Sequence, residues 1–130
     1  MEQRPVLIVE DEPDNQEIVR AVVEEMVGCR AVLAADGVEA LARVSEEVPS
    51  LVLLDLMLPR MDGYEVARRI KNDPRSRHVP IIAITALARP ADRSRAFECG
   101  CDDCVDKPFD LDALEVKVRS MVLGDPRPSP

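Results

Sequence analysis

Short apolar runs, each closed by a polar residue, alternate with segments whose apolar residues recur every three or four positions. The runs are Val6-Leu7-Ile8-Val9 before Glu10-Asp11, Leu51-Val52-Leu53-Leu54 before Asp55, Ile81-Ile82-Ala83-Ile84 before Thr85, and Val105 ahead of Lys107. Apolar runs of this length, separated by helical patterns, read as parallel strands buried on both faces. The pattern predicts strands at about 5–10, 30–35, 51–55, 80–85 and 103–106. Between them it predicts a helix from Asn15 to Val27 with Ile18, Val22 and Met26 inward and Val19 and Val23 beside them. Gly28 is read as its C-terminal cap. A second helix carries Val38, Leu41 and Val44 inward and stops at Pro49. A third carries Val66, Ala67 and Ile70 after a loop stiffened at Pro59 and bent at Gly63. A fourth starts at Pro90 and ends at Gly100, and a fifth runs from Asp110 to Val122.

Strict β/α alternation predicts an α/β fold, a doubly wound five-stranded parallel sheet with helices on both faces. Ligand sites in such sheets lie at the carboxyl ends of the strands. Three carboxylates, a hydroxyl and an ammonium group are therefore expected along one edge. Crowded carboxylates repel unless a cation joins them, and magnesium suits such hard oxygen donors. A carboxylate beside such an ion can attack phosphorus, a reaction that needs mostly alignment and charge neutralisation. Taken singly, Asp55 reads as a turn or cap residue; Glu10 and Asp11 shift the balance toward a site. Lys107 is held extended by Pro108, as a phosphate-oxygen partner requires, and Thr85 is placed to donate its hydroxyl.

Composition narrows the picture. The chain has 130 residues, 46% hydrophobic and 32% charged, which fits one globular domain. No apolar stretch reaches the length of a membrane span, and residues 1–5 lack a secretory signal pattern, so a cytoplasmic location is expected without membrane insertion. A formal charge of −8 argues against non-specific binding to nucleic acid. Cys29, Cys99, Cys101 and Cys104 lack the paired spacing of common zinc sites and read as small semi-buried thiols. The only histidine, His78, reads as a surface loop residue. Residues 124–130 are expected to be a disordered tail after a domain spanning 1–123.

Taken together, the stretches 6–15, 51–65, 80–86 and 106–109 resemble the receiver domain of two-component response regulators, a resemblance that covers about 5–122. It implies a flavodoxin-like strand order, 2-1-3-4-5. It implies Asp55 as phosphoacceptor from a histidine of a sensor kinase or a phosphotransfer domain. Mg2+ would be held by Asp11, Asp55 and the Met57 carbonyl, with Glu10 acting through water. Lys107 and Thr85 would hold phosphoryl oxygens, with Thr85 and Cys104 at switch positions. Two departures stand out: Glu10 replaces a more frequent aspartate, and Cys104 stands where the family usually has an aromatic residue. The chain is then a phosphorylated switch or phosphoryl shuttle rather than an enzyme. Its readout would be a downstream protein or a homodimer, with no direct nucleic-acid contact. Met57 and Leu87 would flank the site and limit water access. A haloacid-dehalogenase-like phosphatase would also use aspartate, magnesium and lysine, yet Met57 stands where that family needs a second aspartate. A nucleotide-binding module lacks its glycine-rich loop, and a pseudo-receiver adaptor would not retain every phosphorylation group.

Overall fold

The computed structural model describes residues 4–86, 89–107 and 110–123, without the side chain of Leu123. The tail at 124–130 and Leu87 lie outside these residues. The elements alternate without exception: β1 (Val6–Val9), α1 (Pro13–Ala21) continued by a π-helical turn (Val22–Val27), β2 (Ala31–Ala34), α2 (Gly37–Glu46), β3 (Leu51–Asp55), α3 (Gly63–Asn72), β4 (Ile81–Thr85), α4 (Pro90–Glu98), β5 (Asp103–Asp106) and α5 (Leu111–Leu123). The strands form one parallel sheet in the order β2-β1-β3-β4-β5. Both the α/β class and the 2-1-3-4-5 order match expectation.

Side chains alternate across a strand, so the sheet divides its apolar residues between two cores. Leu7, Val9, Val52, Leu54, Ile81 and Ala83 face α2, α3 and α4. Val6, Ile8, Leu51, Leu53, Ile82 and Ile84 face Val19, Val22 and Val23 of the first helix and Leu114 and Val118 of α5. Burial of each such aliphatic side chain contributes about 1.5–3 kcal/mol. The central strands read as unbroken apolar runs because both of their faces are covered.

Three expectations are corrected. The first helix starts at Pro13, which is tolerated in a first turn because its missing N–H has no intrahelical partner there. Its buried stripe is Val19, Val22 and Val23, while Ile18 and Met26 are 39% and 36% exposed. The helix widens after Ala21, and Gly28 N–H donates to Val23 O five residues back, so a four-residue spacing no longer repeats on one face. In α2 the buried positions are Gly37, Ala40 and Val44, and Val38 points to solvent. A Cβ at Gly37 would lie 2.7 Å from Val66 and 2.9 Å from Met61, so the glycine edge of α2 makes the close approach and Val38, one step round, is left outside.

The loop after β3 also turns differently. Gly63 does not adopt a left-handed conformation; Arg60 does, at φ 70°. Arg60 is held there by an ion pair of 3.0 Å to Asp36, the N-cap of α2. Gly63 is required for space instead, since a Cβ there would lie 2.5 Å from Leu56 Cα and 2.6 Å from the Asp55 carbonyl oxygen. Gly28, at φ 87°, has nothing within 4 Å of its would-be Cβ. Gly63→Ala should therefore destabilise the fold by about 1–3 kcal/mol through overpacking at the Asp55 backbone. Gly28→Ala should lose about 1 kcal/mol from backbone strain alone and leave Asp55 undisturbed. Urea midpoints of the two variants check the distinction.

Candidate functional site at the carboxyl edge of the sheet

Strand register assembles the site. Val9 is paired with Leu54, so Glu10 and Asp55 follow on neighbouring strands, about 4.8 Å apart in the pairing direction. Asp55 pairs with Ile84, which brings Thr85 one residue beyond it, and Thr85 pairs with Asp106, which leaves Lys107 next in line. The Lys107 N–H donates to the Thr85 carbonyl at 2.9 Å and fixes the start of the lysine side chain. Asp55, Glu10 and Thr85 are buried, at 4%, 2% and 1% exposure.

Lys107 Nζ lies 2.9 Å from Asp55 Oδ2 and 3.1 Å from Glu10 Oε1. The other Asp55 oxygen, Oδ1, accepts the Met57 N–H at 2.9 Å. Glu10 Oε2 accepts the Glu12 N–H at 3.1 Å, and the Glu10 carbonyl accepts Gln16 Nε2 at 2.6 Å. Glu10 Oε1 is buried and faces the Lys107 ammonium. Glu10, Asp11 and Asp55 offer carboxylate oxygens that all lie within 4.8 Å of one another, with Asp11 exposed to solvent.

Electrostatics follow from that crowding. Burial, and then the charge of Asp55, push the Glu10 carboxyl above its ordinary value against the opposing Glu12 N–H and Lys107. At Lys107 burial works to lower the pKa, but the hydrogen bond and charge of Asp55, with those of Glu10, outweigh it and hold the ammonium form above its ordinary range. The donor set fits a divalent cation, because three hard oxygen ligands come from one edge of the sheet.

The structure thus brings Glu10, Asp11, Asp55 and Lys107 together and places the Thr85 backbone beside them. Met57 is 56% exposed next to Asp55. Cys104 is buried among Tyr64, Cys99 and Cys101 on the α3–α4 side of the sheet. All four cysteines are free and buried, more deeply than expected, and burial pushes the Cys101 thiol up to about 12. His78 is exposed, as expected. Sequence reading did not find Gln16, which lacks any pattern of its own, nor the contact of Gly63 with the Asp55 carbonyl. The Asp62-Gly63 pair signalled a bend but not a close approach.

A five-stranded sheet of this order, flanked by helices on both faces, has the fold of a chemotaxis response regulator. The chain belongs to the response regulator receiver domain family, whose model matches residues 6–119. It is similar to the response regulator Rre1 of Synechocystis, 36% identical over 117 residues that make up 90% of this chain and 51% of that protein. It is also similar to the DNA-binding dual master transcriptional regulator RpaA of the same organism, 35% identical over 90% of this chain and 48% of that one. The chain spans about half the length of these curated relatives. Among solved structures it resembles the receiver domain of the sensor histidine kinase PA1611 from Pseudomonas aeruginosa, which holds a magnesium ion in its active-site cleft. That likeness has a TM-score of 0.83 and 34% identity, and covers 95% of this chain and 99% of that one.

Receiver domains interact with histidine kinases and with downstream effectors. The expected exclusion of nucleic acid is not supported, because the name of one relative describes DNA binding. An acidic receiver domain says little about what a protein containing one contacts. Among the described residues no helix is long and apolar enough to cross a membrane.

Glu10 supplies a pH test. An acid whose folded pKa is raised loses its proton at lower pH in the unfolded chain, so its charge lowers stability as pH rises from the unfolded value through the folded one. In metal-free buffer, Glu10→Gln should be more stable than the parent at neutral pH. The advantage should fade as pH falls toward the ordinary value of 4.5. Denaturant midpoints across that interval check the sign.

Proposed function

We propose that Asp55 is the phosphoacceptor of a cytoplasmic two-component or phosphorelay switch, loaded with Mg2+ from a phosphohistidine of a sensor kinase or phosphotransfer domain. The observation that carries the reading is the Lys107 ammonium in contact with the buried Asp55 and Glu10 carboxylates, 2.9 and 3.1 Å away. Asp11, Asp55 and the Met57 carbonyl would hold the ion, with Glu10 acting through water. Bound there, magnesium neutralises charge on the phosphoryl oxygens.

The protein's own groups do the rest. The Met57 N–H and Lys107 hold the two Asp55 oxygens in fixed directions. A carboxylate oxygen attacks phosphorus, the donor nitrogen–phosphorus bond breaks, and the electron pair returns to the donor imidazole. The acyl phosphate carries about −1.5 to −2 charges at the strand ends in place of the single charge of the carboxylate. Lys107 then follows the charge onto a phosphoryl oxygen, and Thr85 supplies a hydroxyl to another. Loops after β3 and β4 reorganise around them, and the altered face is read by a partner or by a second copy of the chain. The domain acts on itself alone and turns over no external substrate.

Asp55→Asn should abolish labelling by a small acyl-phosphate donor with magnesium, measured by intact mass. Full labelling of that variant would identify another acceptor. Lys107→Ala should still accept some phosphoryl group while its conformational response, followed by hydrogen exchange, is blunted.

A further inference from the structure

α4 is held to the molecule thinly. Ala96 is its single buried residue, against Gly63, Tyr64, Val66, Ala67 and Ile70 in α3. Elements with so little buried surface lie at the low-stability end of a fold and are the ones free to move. Besides the Arg93–Asp106 ion pair to β5, what holds α4 is Tyr64, the first residue after Gly63. Tyr64 is 5% exposed and shares its apolar cluster with Ala96, Cys99, Cys101 and Cys104. The Arg95 guanidinium lies over its ring, 3.9 Å from the centroid, and its hydroxyl donates to the Asp92 carbonyl at 3.5 Å. Two residues of α4 thus grip one side chain of α3.

The other end of the path is the site. The Gly63 N–H donates to the Leu56 carbonyl at 3.1 Å, and Gly63 packs so closely on the Asp55 carbonyl that no Cβ fits between them. Any shift of the Asp55–Leu56 backbone therefore moves the first turn of α3, and Tyr64 is attached to that turn. Cys104, in the same cluster, carries no ring to share the contact. We infer that Tyr64 is a positioning residue that carries the state of Asp55 to α4 through its contacts with Arg95 and Asp92, an inference that rests on Asp55 being the acceptor.

The chain supplies its own probe. It contains one tyrosine and no tryptophan, so its tyrosine emission reports Tyr64 alone. The 130-residue chain with magnesium is titrated with beryllofluoride, a phosphoryl analogue, while emission and hydrogen exchange of α4 amides are followed. Emission and α4 exchange should change together, with one midpoint. Tyr64→Phe, which keeps the ring under Arg95 but loses the hydroxyl contact with Asp92, should retain most of the α4 response. Tyr64→Leu should reduce it about fivefold or more, within the range of ordinary coupling between linked sites. Should that variant fail to fold, Arg95→Ala, altered at an exposed position, should show the same loss. Acyl-phosphate labelling of Asp55 is measured on every variant. A wild type that cannot be labelled removes the reading of Asp55 itself. Normal labelling with an undiminished α4 response in Tyr64→Leu or Arg95→Ala overturns the inference and leaves that reading standing.

Discussion

One ammonium group holds two buried carboxylates together, and the functional edge of the sheet depends on it. Carboxylates within 4.8 Å of one another repel by roughly 3 kcal/mol at an effective dielectric near 20. Glu10 and Asp55 are shielded from water and cannot relieve that repulsion by hydration. Lys107, in contact with both, offsets it. Asp11, on the solvent side, has water or a cation to meet its charge. Burial first, and then the charge of Asp55, push the Glu10 carboxyl up, with the Glu12 N–H and Lys107 opposing. Three carboxylates against one ammonium form a donor set of the kind that binds a divalent cation.

That arrangement follows from the sheet and from little else. Adjacent parallel strands are fixed in register, so the polar residues that close the runs fall side by side or one residue apart. The apolar interiors of β1, β3 and β4 fix the register because a one-residue slip would turn core side chains to the wrong face. Hydrophobic burial thus positions polar chemistry without any polar residue having to drive folding. Capping bonds then tune the result: the Asp36 and Asp62 side chains accept the Glu39 and Glu65 N–H groups at the starts of α2 and α3, next to the site edge.

Much of this was legible before any coordinates. Every strand reads to within a residue or so, because a doubly covered strand is a run of apolar residues with nothing else to explain it. Glu10, Asp11, Asp55, Thr85 and Lys107 were legible for the same reason, as the polar residues that end those runs. Helix faces were less so. The Ile18, Val22, Met26 spacing is a good helical stripe, yet the buried residues are Val19, Val22 and Val23, and the widened turn past Ala21 leaves Met26 outside. Val38 reads as a core residue until the Gly37 edge is seen against Val66 and Met61. Gln16 and Tyr64 had no local signature at all, since their roles arise from contacts with Glu10 and α4 that only the folded chain creates.

Cys104 bears on how the switch communicates. A small thiol at that position removes bulk from the space between β5 and α4, yet the cluster there stays closed, because Tyr64 reaches in from α3 and is 5% exposed. Burial, and then the nearby Asp92, raise the pKa of the tyrosine hydroxyl, so the ring stays neutral and its contact with Arg95 is that of a cation with an aromatic face. Such a contact is strong enough to place a thinly held helix and weak enough to be broken by a modest rearrangement. A helix fastened by five buried side chains, as α3 is, would resist the same push. The difference in burial between the two helices therefore leaves α4 the freer of the two to move, beside a sheet edge that α3 holds firmly.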